Sequence, residues 1–176
     1  MIGKTEMDQV LFLPSEDLLS ALESTGNIAK LQKAIAYEGS AGLDLYASEA
    51  GVIPAYQTAL ISTGIKLVIP PGYVGIIKER SSVGKQPQLL WIKTQLRAGV
   101  IDSDYRGNVM VKITNTSGVD ISYYAGERLP YQLVIYKNNS AFTMCNEKEY
   151  LDADAALSNG QDPSTLRGSK GFGSSN

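Results

Sequence analysis

The sequence predicts an all-β fold, an antiparallel sandwich or barrel carrying short helical insertions, and three observations support it. Short alternating or β-branched segments recur along the chain, glycine-, proline- and asparagine-rich turns separate them, and only two stretches have helical spacing. The first strand falls at residues 10–13. Ser15 then caps a helix carrying Leu18, Leu19 and Leu22; Gly26-Asn27 breaks it, and Ile28, Leu31 and Ile35 continue on one face. Further strands are expected at 42–46, 59–62, 65–69 and 73–78, the last two divided by Pro70-Pro71-Gly72. Residues 89–92, 109–114, 121–124 and 133–136 complete the set, punctuated by Ser117-Gly118, Ala125-Gly126 and Asn138-Asn139. Asn146 can cap a second helix, acidic in its first turn and running towards Leu157. Beyond Asn159 the chain is rich in Gly and Ser, so one β domain over 1–158 followed by a mobile arm over 159–176 is expected.

A chain of 176 residues builds one domain with a real core. Its 43% hydrophobic content and net charge of −2 argue against a general polyanion binder, so no nucleic acid is expected as partner, although a local basic site for one phosphate ligand is compatible. No apolar run approaches bilayer-crossing length, and residues 10–13 are too short for a secretory signal, so no membrane partner is expected. The single cysteine, Cys145, cannot form an internal disulfide, which suits a reducing cytoplasm (a host's, for a viral chain), and a lone thiol is expected to be buried. Histidine is absent. That removes Ser-His-Asp and Cys-His nucleophiles, His-bearing zinc sites and imidazole proton shuttles together. Hydrolytic chemistry here rests on carboxylates, Lys, Tyr, or an oxygen-loving ion such as Mg²⁺.

The segment from Gly99 to Gly107 is the most informative stretch. An apolar run delivers Asp102, Asp104 and Tyr105 to a glycine-closed bend, and Val109, Val111 and Ile113 then alternate as a strand, so a β-hairpin with acids at its tip is expected. By itself this describes an ordinary solvated turn.

Four other segments change that reading. Ala41-Gly42-Leu43-Asp44-Leu45-Tyr46, then Arg80-Ser81-Ser82, then the Gly99–Gly107 segment, then Gly126-Glu127-Arg128-Leu129 through Gln132-Leu133, and finally Arg167-Gly168-Ser169-Lys170-Gly171-Phe172-Gly173-Ser174 stand in order. The ordered set, over residues 41–175, resembles the five-motif pattern of the homotrimeric dUTP diphosphatases (dUTPases). The resemblance implies a jelly-roll-like distorted β-barrel, a homotrimer with a swapped C-terminal arm, and Mg²⁺-dependent hydrolysis of dUTP to dUMP and pyrophosphate. It implies Asp102 as general base for the attacking water and the ring of Tyr105 against the deoxyribose. Uracil would be read by the main chain around Gly99, Val100, Ile101 and Met110. Arg80, Ser81 and Ser82 would bind phosphate, and Asp44 would hold Mg²⁺ through its hydration water. Arg167 would meet the γ-phosphate, while Phe172 stacks on the base and Gly171 lets the arm's backbone approach. Asp104 would pair with a cation or shape the turn.

The chain departs from the pattern in places. Leu129-Pro130-Tyr131-Gln132 interposes one residue in the fourth motif, so either a bulge keeps Gln132 on the phosphates or Tyr131 takes its place. Lys170 replaces a glycine common in the fifth motif, the loop from Ser82 to Leu96 is long, and the helical stretch from Ser15 to Tyr37 is unusual. The alternatives are a dCTP deaminase-like enzyme and a non-catalytic nucleotide-binding trimeric regulator. The deaminases carry their proton-transferring Glu where Lys112 stands here, and a pure binder has no need of the Asp102 carboxylate.

Overall fold

The computed structural model describes residues 10–36, 39–81, 90–138, 144–149 and 152. Ser82, Arg167, Gly171 and Phe172, with the whole expected arm, lie outside the described residues. The chain divides into two units, Met1–Asn139 and Ser140–Asn176.

The first unit is a jelly-roll-like arrangement of antiparallel sheets. Its elements are β1 (Leu11–Pro14), α1 (Glu16–Ser24), α2 (Ile28–Ala36), β2 (Leu43–Tyr46), β3 (Gly51–Ile53), β4 (Thr58–Val68) and β5 (Tyr73–Glu79). A short 3₁₀ turn (Leu90–Lys93) precedes β6 (Thr94–Ala98), β7 (Val100–Ile101), β8 (Asn108–Asn115), β9 (Ile121–Tyr123) and β10 (Arg128–Lys137). One sheet has the order β1-β4-β8-β6, a second β2-β10-β5-β7, and β3 pairs with β9 in a third. Among the described residues these ladders stay open rather than closing hydrogen bonds around a barrel. Alternation explains the core between them: Ile61, Ile65, Leu67, Val109, Val111 and Ile113 from the first sheet join Leu45, Ile77, Ile101, Leu129 and Leu133 from the second in one buried cluster. No described helix is long and apolar enough to cross a membrane.

The Ser15 cap forms: its Oγ accepts from the Leu18 N–H at 3.2 Å, with Glu16 and Asp17 in the first turn. Leu18, Ala21 and Leu22 are the buried stripe of α1. The break at Gly26-Asn27 also forms, with Gly26 at φ 68. Asn27 starts α2 by accepting from Leu31 N, and its buried side chain donates to Gly126 O at 2.9 Å. The inserted helices are thereby tied to the turn that leads into β10.

Four expectations need correction. The strands expected at 59–62 and 65–69 are one strand, β4, bent where its register against β8 shifts between Ser62 and Lys66. Gly64, at φ 66, makes that bulge possible and lets α1 approach, because a Cβ there would lie 2.6 Å from Ser15 Oγ and 2.9 Å from Leu18 Cβ. The strand expected at 89–92 is the 3₁₀ turn, since Thr94 Oγ1 bonds Trp91 O at 2.7 Å and the indole N–H is taken by Glu127. The expected hairpin is not one: β7 pairs with β5 and β8 pairs with β4 and β6, so the chain changes sheets at the bend. Cys145 is exposed, not buried, within a stretch (144–149) where every residue is exposed. The cap at Asn146 does form there, with Asn146 Oδ1 accepting from Glu149 N and Glu149 Oε2 from Asn146 N.

Gly126 is held twice over. It has φ 77, and a Cβ on it would press into the carbonyl of Ala21. Gly126→Ala is therefore expected to cost roughly 2–4 kcal/mol, from left-handed strain plus overpacking, read as a fall in the denaturant midpoint; a change under about 0.5 kcal/mol refutes this account of the helix dock.

Candidate active site

The change of sheet builds the first grouping. Between Ile101 and Asn108 the chain belongs to neither ladder, so its polar groups bond locally. Tyr105 N donates to Asp102 O at 3.1 Å, and Arg106 Nη1 donates to Ser103 O at 2.7 Å and to Tyr105 O at 2.9 Å. The Tyr105 hydroxyl donates to Asn108 O at 2.8 Å. The ring lies over Gly107, where a Cβ would fall within 2.6 Å of its Cζ, so a side chain there would displace the ring from this position.

Val100, Ile101, Asp102, Tyr105, Val109 and Met110 line one cavity of about 180 Å³. Five of these are residues that the sequence nominated; Val109 was not, because alternation marks it as core. Asp102 is exposed and makes no ion pair among the described residues. The same holds for Asp104, so the partner cation expected for it is not found among them. Gly99 lies just outside the cavity lining; its carbonyl accepts from Ile77 N at 2.7 Å, and a Cβ on it would crowd Ile77 O at 2.9 Å. Because β7 lies at the edge of its sheet, one side of its backbone has no strand partner among the described residues.

The second grouping centres on Asp44. Its Oδ1 meets Arg80 Nε at 2.8 Å and its Oδ2 meets Arg128 Nη1 at 3.4 Å. Arg80 is further fixed through its own N–H to Pro130 O at 2.9 Å. Ser81 follows, exposed. Asp44, Gln132 and Lys78 stand opposite one another on β2, β10 and β5, which puts their side chains on one face.

The extra residue in the fourth motif is absorbed as a bulge. Three residues lie between Arg128 and Gln132 where one lies between their partners Tyr46 and Asp44, and Pro130, having no N–H to give the ladder, falls within the irregularity. Tyr131 turns into the core, 1% exposed, with its hydroxyl 3.0 Å from Thr94 Oγ1. Gln132 is half-buried and its Nε2 lies 3.5 Å from Glu79 O. The adjacent Glu127 locks the strand's approach, accepting from Trp91 Nε1 at 2.9 Å and from Tyr124 N at 3.1 Å.

A profile described as dUTPase matches residues 32–176 of this sequence. The chain belongs to the dUTPase family. The Candida albicans protein named deoxyuridine 5'-triphosphate nucleotidohydrolase is 36% identical over 135 residues, 77% of this chain and 74% of that protein. Among solved structures, the dUTPase of EIAV is 28% identical with a TM-score of 0.52, over 64% of this chain and 88% of that one. A variant dUTPase from phage phi11 of S. aureus, described with a structural Mg(II) ion, shares the fold at 24% identity and TM-score 0.54, over 63% of this chain and 86% of that one.

For this dUTPase-family chain, the donor set bears on any metal. Among the described residues no three His, Cys, Asp or Glu side chains cluster as metal ligands, and both Asp44 oxygens face guanidiniums. That set builds no all-protein cage. It fits an ion that keeps its water and takes its remaining ligands from a polyphosphate.

Two buried tyrosines flank the Asp44 grouping. Burial, and then the Asp44 carboxylate, push the Tyr46 hydroxyl above its usual 10.0, with Arg128 and Arg80 opposing. Burial also raises Tyr131, against the Thr94 hydrogen bond and aided by Glu79. Both rings titrate at lower pH in the unfolded chain than in the folded one, so their contribution is complete below pH 10 and is lost as pH rises through the folded values. Stability is expected to fall as pH rises above about 10, the unfolded tyrosine value, and Tyr46→Phe should flatten that fall in denaturant titrations; an unchanged slope refutes the assignment.

Proposed function

We propose that this chain hydrolyses dUTP to dUMP and pyrophosphate, with Asp102 as the base that activates the attacking water. The observation that carries the reading is the gathering of Asp102, Tyr105, Val100, Ile101 and Met110 around one cavity in a member of the dUTPase family.

Uracil recognition falls to the main chain of Gly99, Val100 and Ile101, with Met110 beside it. Unpaired backbone groups on an edge strand have fixed spacing and fixed donor–acceptor identity. Cytosine would present its amino group where uracil presents a carbonyl, leaving buried polar groups unmatched. The Tyr105 ring, tethered through its hydroxyl, covers the deoxyribose and leaves no room for a 2′-hydroxyl. Arg80 and Ser81, with Gln132, hold the phosphates; Ser82 completes that motif, and Arg167, Gly171 and Phe172 bring the arm over the bound nucleotide.

The step is a water oxygen forming a bond to the α-phosphorus as the bridge to the β-phosphate breaks. The water's proton passes to Asp102, and the electron pair of the broken bond leaves with pyrophosphate. Asp44 would hold Mg²⁺ through water, and the ion, when bound, would supply neutralisation of the polyphosphate charge. The active species is a homotrimer of cytoplasmic chains, each formed of a β domain over 1–158 and an arm over 159–176 that reaches a neighbour's site.

Asp102→Asn is expected to bind a non-hydrolysable dUTP analogue as the wild type does while kcat falls at least roughly hundredfold; comparable turnover refutes the base assignment. Truncation after Asn159 should abolish most activity yet leave the sedimentation profile trimeric, and full activity in the truncated chain would remove the arm from the mechanism.

A further inference from the structure

We propose that Asn108 is a positioning residue: its side-chain amide sets how closely the Tyr105 ring approaches the sugar, and so how strictly ribose is refused. The proposal rests on the functional reading above and extends it to a side chain outside the cavity lining.

Strand register supplies the reason for an amide at this place. Met110 stands opposite Ser62 and Asn108 opposite Lys66, so three residues of β4 lie between partners that Val109 alone separates on β8. A regular ladder cannot run through that mismatch, and side chains take over its hydrogen bonds. The buried Thr63 hydroxyl donates to Val109 O at 2.7 Å. Asn108 Nδ2 donates to Ser62 Oγ at 2.8 Å, and Ser62 Oγ lies 2.6 Å from Ser48 Oγ. Ser48 is itself fixed, because its N–H donates to Ser62 O at 2.9 Å. Asn108 Nδ2 also reaches Met110 Sδ at 3.2 Å.

Two walls of the cavity are thereby referred to one residue. The Asn108 carbonyl accepts the Tyr105 hydroxyl at 2.8 Å, and the Asn108 amide touches Met110, which lines the same cavity as Tyr105. The Tyr105 ring is 43% exposed, so the tether to Asn108 O holds it more than enclosure does. A wall excludes a hydroxyl only as strictly as the wall is stiff. Asn108, braced against Ser62 and Ser48, supplies that stiffness at the point where the ladder cannot. Stability does not account for the amide: its Oδ1 is buried with no hydrogen-bond partner among the described residues, an arrangement that costs the folded chain free energy.

The test measures kcat/KM of the full chain for dUTP and for UTP. Asn108→Ala is expected to lower the dUTP/UTP ratio roughly five- to tenfold, the worth of one hydrogen bond, with the denaturant midpoint unchanged. The amide acts through Tyr105, so the substitution should change the ratio no further in a Tyr105→Phe background, where the tether is already gone. An unchanged ratio, an equal loss for both nucleotides, or a full additional loss in the Phe background overturns the proposal. Should the Ala variant not fold, Ser62→Ala, at the other end of the bond, carries the same test; failure of both to fold shows a structural role and overturns the proposal too. Absence of dUTP turnover by the wild type would instead defeat the functional reading.

Discussion

Between Ile101 and Asn108 the backbone leaves one sheet and joins the other, and the candidate catalytic geometry depends on that crossing. A true hairpin would pair β7 with β8 and bury the inner edge of both. Here β7 is bonded to β5 alone among the described residues, which leaves its other edge open in that set. The six residues in transit have no ladder to satisfy them and close on themselves through local hydrogen bonds despite their exposure. A carboxylate at the head of such a bend is held in water's reach by the backbone rather than by a side-chain partner.

The second constraint is the irregularity in β10. Pro130 interrupts the ladder, its carbonyl takes the Arg80 N–H, and the residues on either side diverge: Tyr131 to the interior, Gln132 to the outer face. The irregularity adds two residues to β10, so Arg128 and Gln132 keep the same parity while Leu129, Pro130 and Tyr131 are buried between them. On the far side of the turn, Asn27 and Gly126 join the inserted helices to the same strand entry.

Much of this was legible in the sequence because it is local. Alternation located most strands, Ser15 and Gly26-Asn27 punctuated the helices, and the ordered motifs marked Asp102, Tyr105 and Arg80. What escaped depends on partners distant in the chain. The Arg128–Asp44 contact spans 84 positions and exists only through strand register. The merging of two expected strands into β4 turns on one left-handed glycine, and the sheet change at Asp102 turns on which neighbour β7 selects. Trp91 pulled an apolar run out of extended form through a single indole hydrogen bond to Glu127. Cys145 defied its usual burial because its neighbours are polar throughout. Strand periodicity cannot report any of these.

The shared carboxylate at Asp44 carries a consequence for its own removal. Arg80 and Arg128 both meet it, so a neutral residue in its place would leave two like charges close together with that counter-charge gone, and the more exposed Arg128 is the one free to swing outward into water.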